Sequence, residues 1–192
     1  MAAARILAFA GSLRKDSYNK RLVRIAAAGA TAAGAAVTLL DLRDYPLPLF
    51  DEDLEREQGL PDNATTLKRM FIDHDGFLIA SPEYNSSITG VLKNTIDWVS
   101  RRVEGETPLV AYKGKTAALI SASPGALGGL RALVHVRAIL GNIGVLVLPT
   151  QVAVPKAMEA FDADGKLKDP NLQASIEGLG KSLAQTIVKL KS

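Results

Sequence analysis

Five short apolar runs punctuate the chain: Arg5 to Ala10, Ala36 to Leu42, Gly76 to Ser81, Lys115 to Ser121 and Gly144 to Leu148. Within them apolar residues are nearly continuous instead of alternating, the pattern of strands in a parallel sheet covered on both faces. The longer stretches between carry apolar residues at helical spacing: Leu22, Ile25 and Ala26; then Ile88, Val91, Leu92, Ile96 and Val99; then Leu130, Leu133, Val134 and Leu140. The clearest stripe is the last, Leu172, Ile176, Leu179, Leu183, Ile187 and Leu190, which we assign to the core. Strand and helix alternating in this way is βαβ organisation, and it predicts five buried parallel strands with helices on both faces.

Three stretches interrupt the pattern. Ala26 to Ala36 is rich in Ala and Gly; small residues let a helix lie close to a sheet, and Gly34 suits the helix stop. Asp44 to Pro61, with Pro46, Pro48 and Pro61 among five acids between Asp51 and Glu57, reads as a long irregular excursion, a lid or contact surface, before a helix near Thr65 to Phe71. Phe161 to Leu167 has the look of a calcium loop but lacks its downstream ligands, so it is read as an Asp-Gly hairpin turn.

Composition narrows the function. A chain of 192 residues is expected to form one domain over 1–192, and 47% hydrophobic against 22% charged residues is ordinary for a folded soluble protein. The absence of Cys excludes disulfides, thiolate catalysis and Cys-ligated metal centres. A net charge of +3 with scattered basic residues argues against nucleic acid. The run Ile6 to Ala10 is too short for a membrane span or a signal-peptide core, so a cytoplasmic location without membrane insertion is expected, and the sequons at Asn63 and Asn85 are read as chance. His74 and His135 are far apart in sequence and are taken as structural, with no metal expected.

The chemistry lies in loops that follow strands. After the first run, Gly11 lets the chain turn, Ser12 and Ser17 bring hydroxyls, Arg14 a planar cation and Asn19 an amide donor at a helix start, a set suited to a phosphate. Taken alone, the loop reads equally as a Ser17 helix cap with a solvated Arg14. Gly114-Lys115-Thr116 imitates a P-loop, but Leu109 stands where its first Gly is required, and no G-x-G-x-x-G follows the first strand. After the third run, Pro82 fixes a turn, Tyr84 offers an aromatic face, and Asn85 with backbone N–H groups can meet a flat polar ring; alone, this is a surface turn with a capping Ser. Ser121 to Gly129 is a Gly-rich connector that permits close backbone approach. Parallel strands would bring the first two loops together, which suits a mononucleotide. Glu83 is expected to be solvated, and Arg101 and Arg102 to complement a helix end instead of binding a 2′-phosphate.

The stretches GSLRKDSYNKRL and SPEYNSSITGVLKNTIDWVSR, with Gly90, Lys93, Asn94, Asp97 and Trp98, resemble the signature stretches of the NAD(P)H-dependent FMN reductases, a family that includes quinone, azo-dye and chromate reductases. SASPGALGGLRALVHVRAIL resembles the family's third stretch, so the likeness runs over nearly the whole chain. It implies an α/β flavodoxin-like three-layer sandwich with strand order 2-1-3-4-5. It also implies bound FMN, with Ser12, Arg14, Ser17 and Asn19 on its phosphate and Pro82, Glu83, Tyr84, Asn85 and Ser123 on its ring. NADPH or NADH is the implied co-substrate, small-molecule oxidants the acceptors, and a homodimer or homotetramer the assembly. Redox chemistry then belongs to the flavin and no catalytic side chain is needed. The rival is a flavodoxin-type electron carrier that binds FMN without oxidising NAD(P)H; the weak, scattered charge speaks against a partner docked by electrostatics.

Overall fold

A computed structural model, described over residues 2–191, turns all five apolar runs into strands: β1 (Arg5–Ala10), β2 (Ala36–Leu40), β3 (Gly76–Ala80), β4 (Thr116–Ala122) and β5 (Leu146–Val154). They form one parallel sheet in the order β2-β1-β3-β4-β5. The three inner strands are buried as expected, but β2 and β5 each have a single neighbour, and Leu39 and Leu146 are exposed. β2 ends at Leu40, short of Leu42, because the Asp41 carboxylate accepts from Arg43 N at 3.0 Å and starts a 3-10 turn over Leu42–Asp44. β5 runs past Leu148 to Val154 in spite of Pro149, because the register against β4 shifts between Ala117 and Leu119 and the irregularity absorbs the missing donor.

The helices are α1 (Tyr18–Ala32), α2 (Glu52–Gln58), α3 (Asp62–Asp73), α4 (Gly90–Ser100), α5 (Leu130–Asn142), α6 (Ala157–Ala160) and α7 (Pro170–Leu190). Alternate strand residues feed two cores. On one face Ile6, Ala8, Leu78, Ala80, Ala118 and Ile120 meet α1 and α7; on the other Leu7, Phe9, Phe77, Ile79 and Leu119 meet α3, α4 and α5. The second face holds the bulk, with Phe71 packed between Phe9 and Phe77 at ring separations of 5.4 and 4.9 Å.

Small residues on the first face bring α1 and α7 into backbone contact. A Cβ at Gly29 would lie 2.0 Å from Glu177 O, and one at Gly180 would lie 1.8 Å from Ala26 O. That contact is the physical reason for the Ala/Gly-rich segment. Gly34, at φ +86°, closes α1 with Ala35 N donating to Ala30 O and Gly34 N to Thr31 O, a left-handed stop that favours glycine.

The excursion from Asp44 to Pro61 is less irregular than its sequence reads, since it contains α2, capped by Asp51 through Asp53 N. The segment before α2 is tied to α4: Trp98 Nε1 and Asn94 Nδ2 both donate to Pro48 O at 2.8 Å, and Phe50 N donates to Asn94 Oδ1. Trp98 is fully buried within the chain. On α5, Leu133, Val136 and Leu140 face the core, whereas Leu130 and Val134 face outward. The Asp164-Gly165 turn forms as expected, with Phe161 and Leu167 bridged antiparallel across it.

Candidate functional site

Strand order reverses between β1 and β3, which opens a crevice beyond their C-terminal ends. The loop leaving β1 approaches the start of α4 so closely that a Cβ on Gly11 would meet Leu92 at 2.9 Å. Thr89, buried at the N-cap of α4, donates to Gly11 O at 2.7 Å and accepts from Leu92 N, so it ties the first loop to the second. Ser17 stands at the N-cap position of α1 but its hydroxyl makes no capping bond, and the N–H groups of Tyr18 and Asn19 have no partner among the described residues. Arg14 has no carboxylate partner there either; its guanidinium lies 6.0 Å from the Tyr18 ring centre. The loop therefore points a cation, a free helix N-terminus and two little-exposed hydroxyls, Ser12 and Ser17, at one place.

The loop after β3 closes as a two-residue hairpin. Tyr84 N donates to Ser87 O at 2.9 Å and Ser87 N to Tyr84 O at 3.0 Å, with Asn85 (φ 50°) and Ser86 (φ 68°) both left-handed. That is the geometry of a type I′ turn, costly for Ser86, and it leaves the Asn85 and Ser86 N–H groups without protein partners among the described residues.

The third loop is bonded to its surroundings through Ser123 N to Val154 O and Ala157 N to Ser123 O. Gly129 must be glycine: its φ is +92°, and a Cβ would come within 1.8 Å of Ser121 Oγ.

A single cleft is lined by Ser12, Arg14, Ser17, Asn19, Pro82, Glu83, Tyr84 and Ser123, with Tyr18, Ala122 and Pro124 between them. Of the residues predicted for the site, only Asn85 is not on its wall; it is exposed at the tip of the turn. Two side chains depart from expectation. The Asn19 amide is committed to the end of β4, donating to Ala122 O at 2.8 Å and accepting from Ala122 N at 2.9 Å, so what it offers the cleft is its backbone N–H. Glu83 is not solvated, for its side chain is 7% exposed and paired with Arg131. Burial alone disfavours its charged form, but the Arg131 guanidinium and the Ala132 and Arg131 N–H groups together hold its pKa below the usual value.

Sequence reasoning missed Thr89 and Arg131, and it reads His135 as structural without its partner, Ser87. Arg131 and His135 are one helical turn apart on α5, spacing that the sequence does display, although their partners lie 48 residues away. Arg101 is held by Glu55 at 2.8 Å and lies over Phe50, and Arg102 Nε donates to Glu106 O. His74 bridges Met70 O and Thr38 Oγ1, the structural role expected of it. Among the described residues no group of His, Asp and Glu is arranged to hold a metal, and no helix is long and apolar enough to cross a membrane.

A parallel 2-1-3-4-5 sheet with an anion-binding turn after β1 and a strained donor turn after β3 defines a flavodoxin-like mononucleotide-binding protein. Comparison with known proteins is consistent with this throughout. An NAD(P)H-dependent FMN reductase of Pseudomonas aeruginosa is 35% identical over 188 residues, covering 97% of each chain. An NAD(P)H:quinone oxidoreductase of Solanum tuberosum is 34% identical over 97% of this chain and 94% of its own. The solved structure of FerB, a flavoenzyme NAD(P)H:(acceptor) oxidoreductase from Paracoccus denitrificans, superposes with a TM-score of 0.80 at 31% identity over 98% of both chains. The profile of the NADPH-dependent FMN reductase family matches residues 4–159, and the chain belongs to that family. It is an FMN-dependent oxidoreductase that uses NAD(P)H.

The cleft fits that cofactor on its own chemistry. A phosphate monoester brings close to two negative charges, and the wall answers with one unpaired guanidinium, a helix N-terminus and two hydroxyls. Beyond its wall, the tip of the neighbouring turn carries the two unpartnered N–H groups of Asn85 and Ser86, donors of the kind that a flat ring with carbonyl and nitrogen acceptors takes.

Proposed function

We propose that this cleft holds FMN by both ends and that the enzyme reduces quinones and similar two-electron acceptors at the expense of NAD(P)H. The observation that carries the reading is the pairing of unpartnered donors at the two loop tips: Arg14, Ser17 and the first N–H groups of α1 for the phosphate, and the Asn85 and Ser86 N–H groups for the ring. Ser12 Oγ accepts from Arg14 N at 3.3 Å, which shapes the turn around the phosphate position. Pro82 and Ser123 bound the ring from the two neighbouring loops, and Tyr84, 54% exposed, forms the outer wall. Glu83 contributes through its backbone, since its carboxylate is turned to α5.

Held here, FMN would supply the two-electron chemistry that links NAD(P)H to the acceptor. The protein needs no nucleophile for this. Donors fixed beforehand at the ring edge stabilise negative charge there without reorganising. The exposed Tyr84 side leaves room for NAD(P)H and then the acceptor to occupy the same place in turn. Quinones are the acceptors named for the potato relative, and metal oxyanions such as chromate suit the same open, unspecific approach.

A homodimer or homotetramer is part of the reading. Leu127, in the loop before α5, and Leu130 and Val134 on α5 are exposed, and Ile88, Ala138 and Ile139 line an apolar groove that α5 shares with the start of α4, an arrangement suited to a second copy. A cytoplasmic setting, where NAD(P)H is regenerated, suits this chemistry.

Steady-state kinetics test the activity: purified protein loaded with FMN should oxidise NADPH or NADH with a benzoquinone acceptor and give parallel double-reciprocal lines. Intersecting lines would refute the shared, alternating site. Failure of FMN to bind the apoprotein would remove the assignment of the cleft.

A further inference from the structure

α5 reaches back to the ring loop with two side chains. Arg131 Nε donates to Glu83 Oε1 at 2.8 Å and Arg131 Nη2 donates to the same oxygen, while Arg131 N and Ala132 N reach Oε2 at 3.1 and 3.4 Å. His135 follows four residues later, on the same face of the helix, with Nδ1 2.8 Å from Ser87 Oγ. Glu83 and Ser87 are the two residues that flank the turn, one before Tyr84 and one closing it.

Between these anchors lie Asn85 and Ser86, both at positive φ. The turn's own two hydrogen bonds close it as a hairpin, but they do not determine where it stands relative to the phosphate loop. Contacts from outside must do that. Thr89 fixes the base of α4 to Gly11, and the only other side-chain bonds from the Glu83 to Ser87 segment to distant residues, among the described ones, all run to α5, at Arg131, Ala132 and His135.

We propose that Arg131 and His135 are positioning residues, a two-point clasp by which α5 sets the ring loop in its donor geometry before FMN arrives. This rests on the reading of the cleft as the FMN site. Neither side chain lines the cleft, so neither touches the cofactor; they act through Glu83 and Ser87. The carboxylate is suited to the task because its donors converge from a planar fork and a helix N-terminus, which fixes its direction as well as its charge. A loop ordered in advance spends less of its contact energy on losing freedom when the ligand binds, so the clasp should appear in FMN affinity.

The test is FMN titration of apoprotein by fluorescence quenching, alongside the thermal midpoint of each apoprotein, for wild type, R131A, E83Q, R131A/E83Q, H135A and R14A. R131A and E83Q should each weaken FMN binding about tenfold, and the double variant no further than the weaker single, because the two groups act as one unit. H135A should weaken it about threefold, since it removes the single bond at the other anchor. R131K, which keeps the charge but loses the fork, should fall between wild type and R131A, and it stands in should R131A fail to fold. Lower midpoints with unchanged FMN affinity in R131A, E83Q and H135A would overturn the clasp and leave those residues merely structural. Losses that multiply in the double variant would overturn it too, making Glu83 a ligand in its own right. If R14A weakens binding while the α5 variants do not, the clasp alone falls; if wild-type apoprotein does not bind FMN at all, the cleft reading falls with it.

Discussion

The two edges of one sheet carry similar residue types and use them in opposite ways. At the N-terminal edge, Asp75 accepts from Arg5 N at 2.8 Å and pairs with Lys191 at 2.8 Å, while Lys115 Nζ donates to Ile72 O at 2.7 Å and to His74 O. At the C-terminal edge, Arg14, the Ser17 hydroxyl and the first N–H groups of α1 are left without protein partners among the described residues. Charge is at least as dense at the first edge, where a hollow is lined by Asp75, Lys115 and Lys191, all bonded, and by Lys113, which alone of the four has no protein partner for its charged group among the described residues. What separates a site from a joint is therefore not the presence of charged residues but whether their bonding capacity has already been used.

The largest effect that would break this contrast is at Arg14. Arg14→Ala should weaken FMN binding by about ten- to a hundredfold, because a charge-assisted contact contributes roughly 1.5 to 3 kcal/mol. The thermal midpoint of the apoprotein should hardly move, since the guanidinium has no ion pair among the described residues and only lies 6.0 Å from the Tyr18 ring centre. Asp75→Ala is its mirror image. Losing the acceptor for Arg5 N and the Lys191 partner should cost about 1 to 2 kcal/mol of stability in urea titrations, with FMN affinity unchanged. Were Asp75→Ala to weaken FMN binding at constant stability, the division between the edges would be wrong.

Acid bears on a carboxylate at each edge. Burial works against the charged forms of Asp75 and Glu83, yet Lys191 and Arg5 N–H at one edge, and Arg131 with two backbone N–H groups at the other, hold both carboxyls below their ordinary values. A carboxyl whose pKa is lower folded than unfolded contributes stability above its unfolded value that disappears as pH falls through the folded one. Stability should thus decline below about pH 4.5, the ordinary Glu value. Asp75→Asn and Glu83→Gln should each flatten part of that acid limb in pH-dependent melts. An unchanged slope in either variant would mean that its carboxyl is not held as described.

Legibility in the sequence follows the same division between local and distant partners. The inner strands were readable because two covered faces demand continuous apolar residues, as in Phe77 to Ala80. α2 was not, because Glu52–Gln58 buries nothing and so has no apolar period; its only sign is the Asp51 cap. Pro149 hid the second half of β5, since the irregularity that accommodates it is set by pairing with β4. At the cleft, the placement of Ser12, Arg14 and Ser17 on the wall is legible because they follow β1 directly. The fate of the Asn19 amide is not, for its partner Ala122 is 103 residues away, nor is that of the Glu83 carboxylate, whose partner Arg131 is 48 residues distant. Motif position shows which residues reach an edge; only tertiary pairing shows which of them stay available.

The smallest effect tests whether the donor turn is strained for a purpose. Ser86 holds φ 68° without the side-chain bond that eases Asn or Asp into that region. Ser86→Gly relieves the strain but loosens the unfolded chain, two effects of similar size, so net stability should rise by less than about 1 kcal/mol. FMN affinity should hold or fall slightly, since the backbone N–H stays in place while the loop gains freedom. If Ser86→Gly instead tightened FMN binding, the left-handed pair would be an obstacle that binding must overcome, and the donor edge would have to be formed by the ligand and not awaiting it.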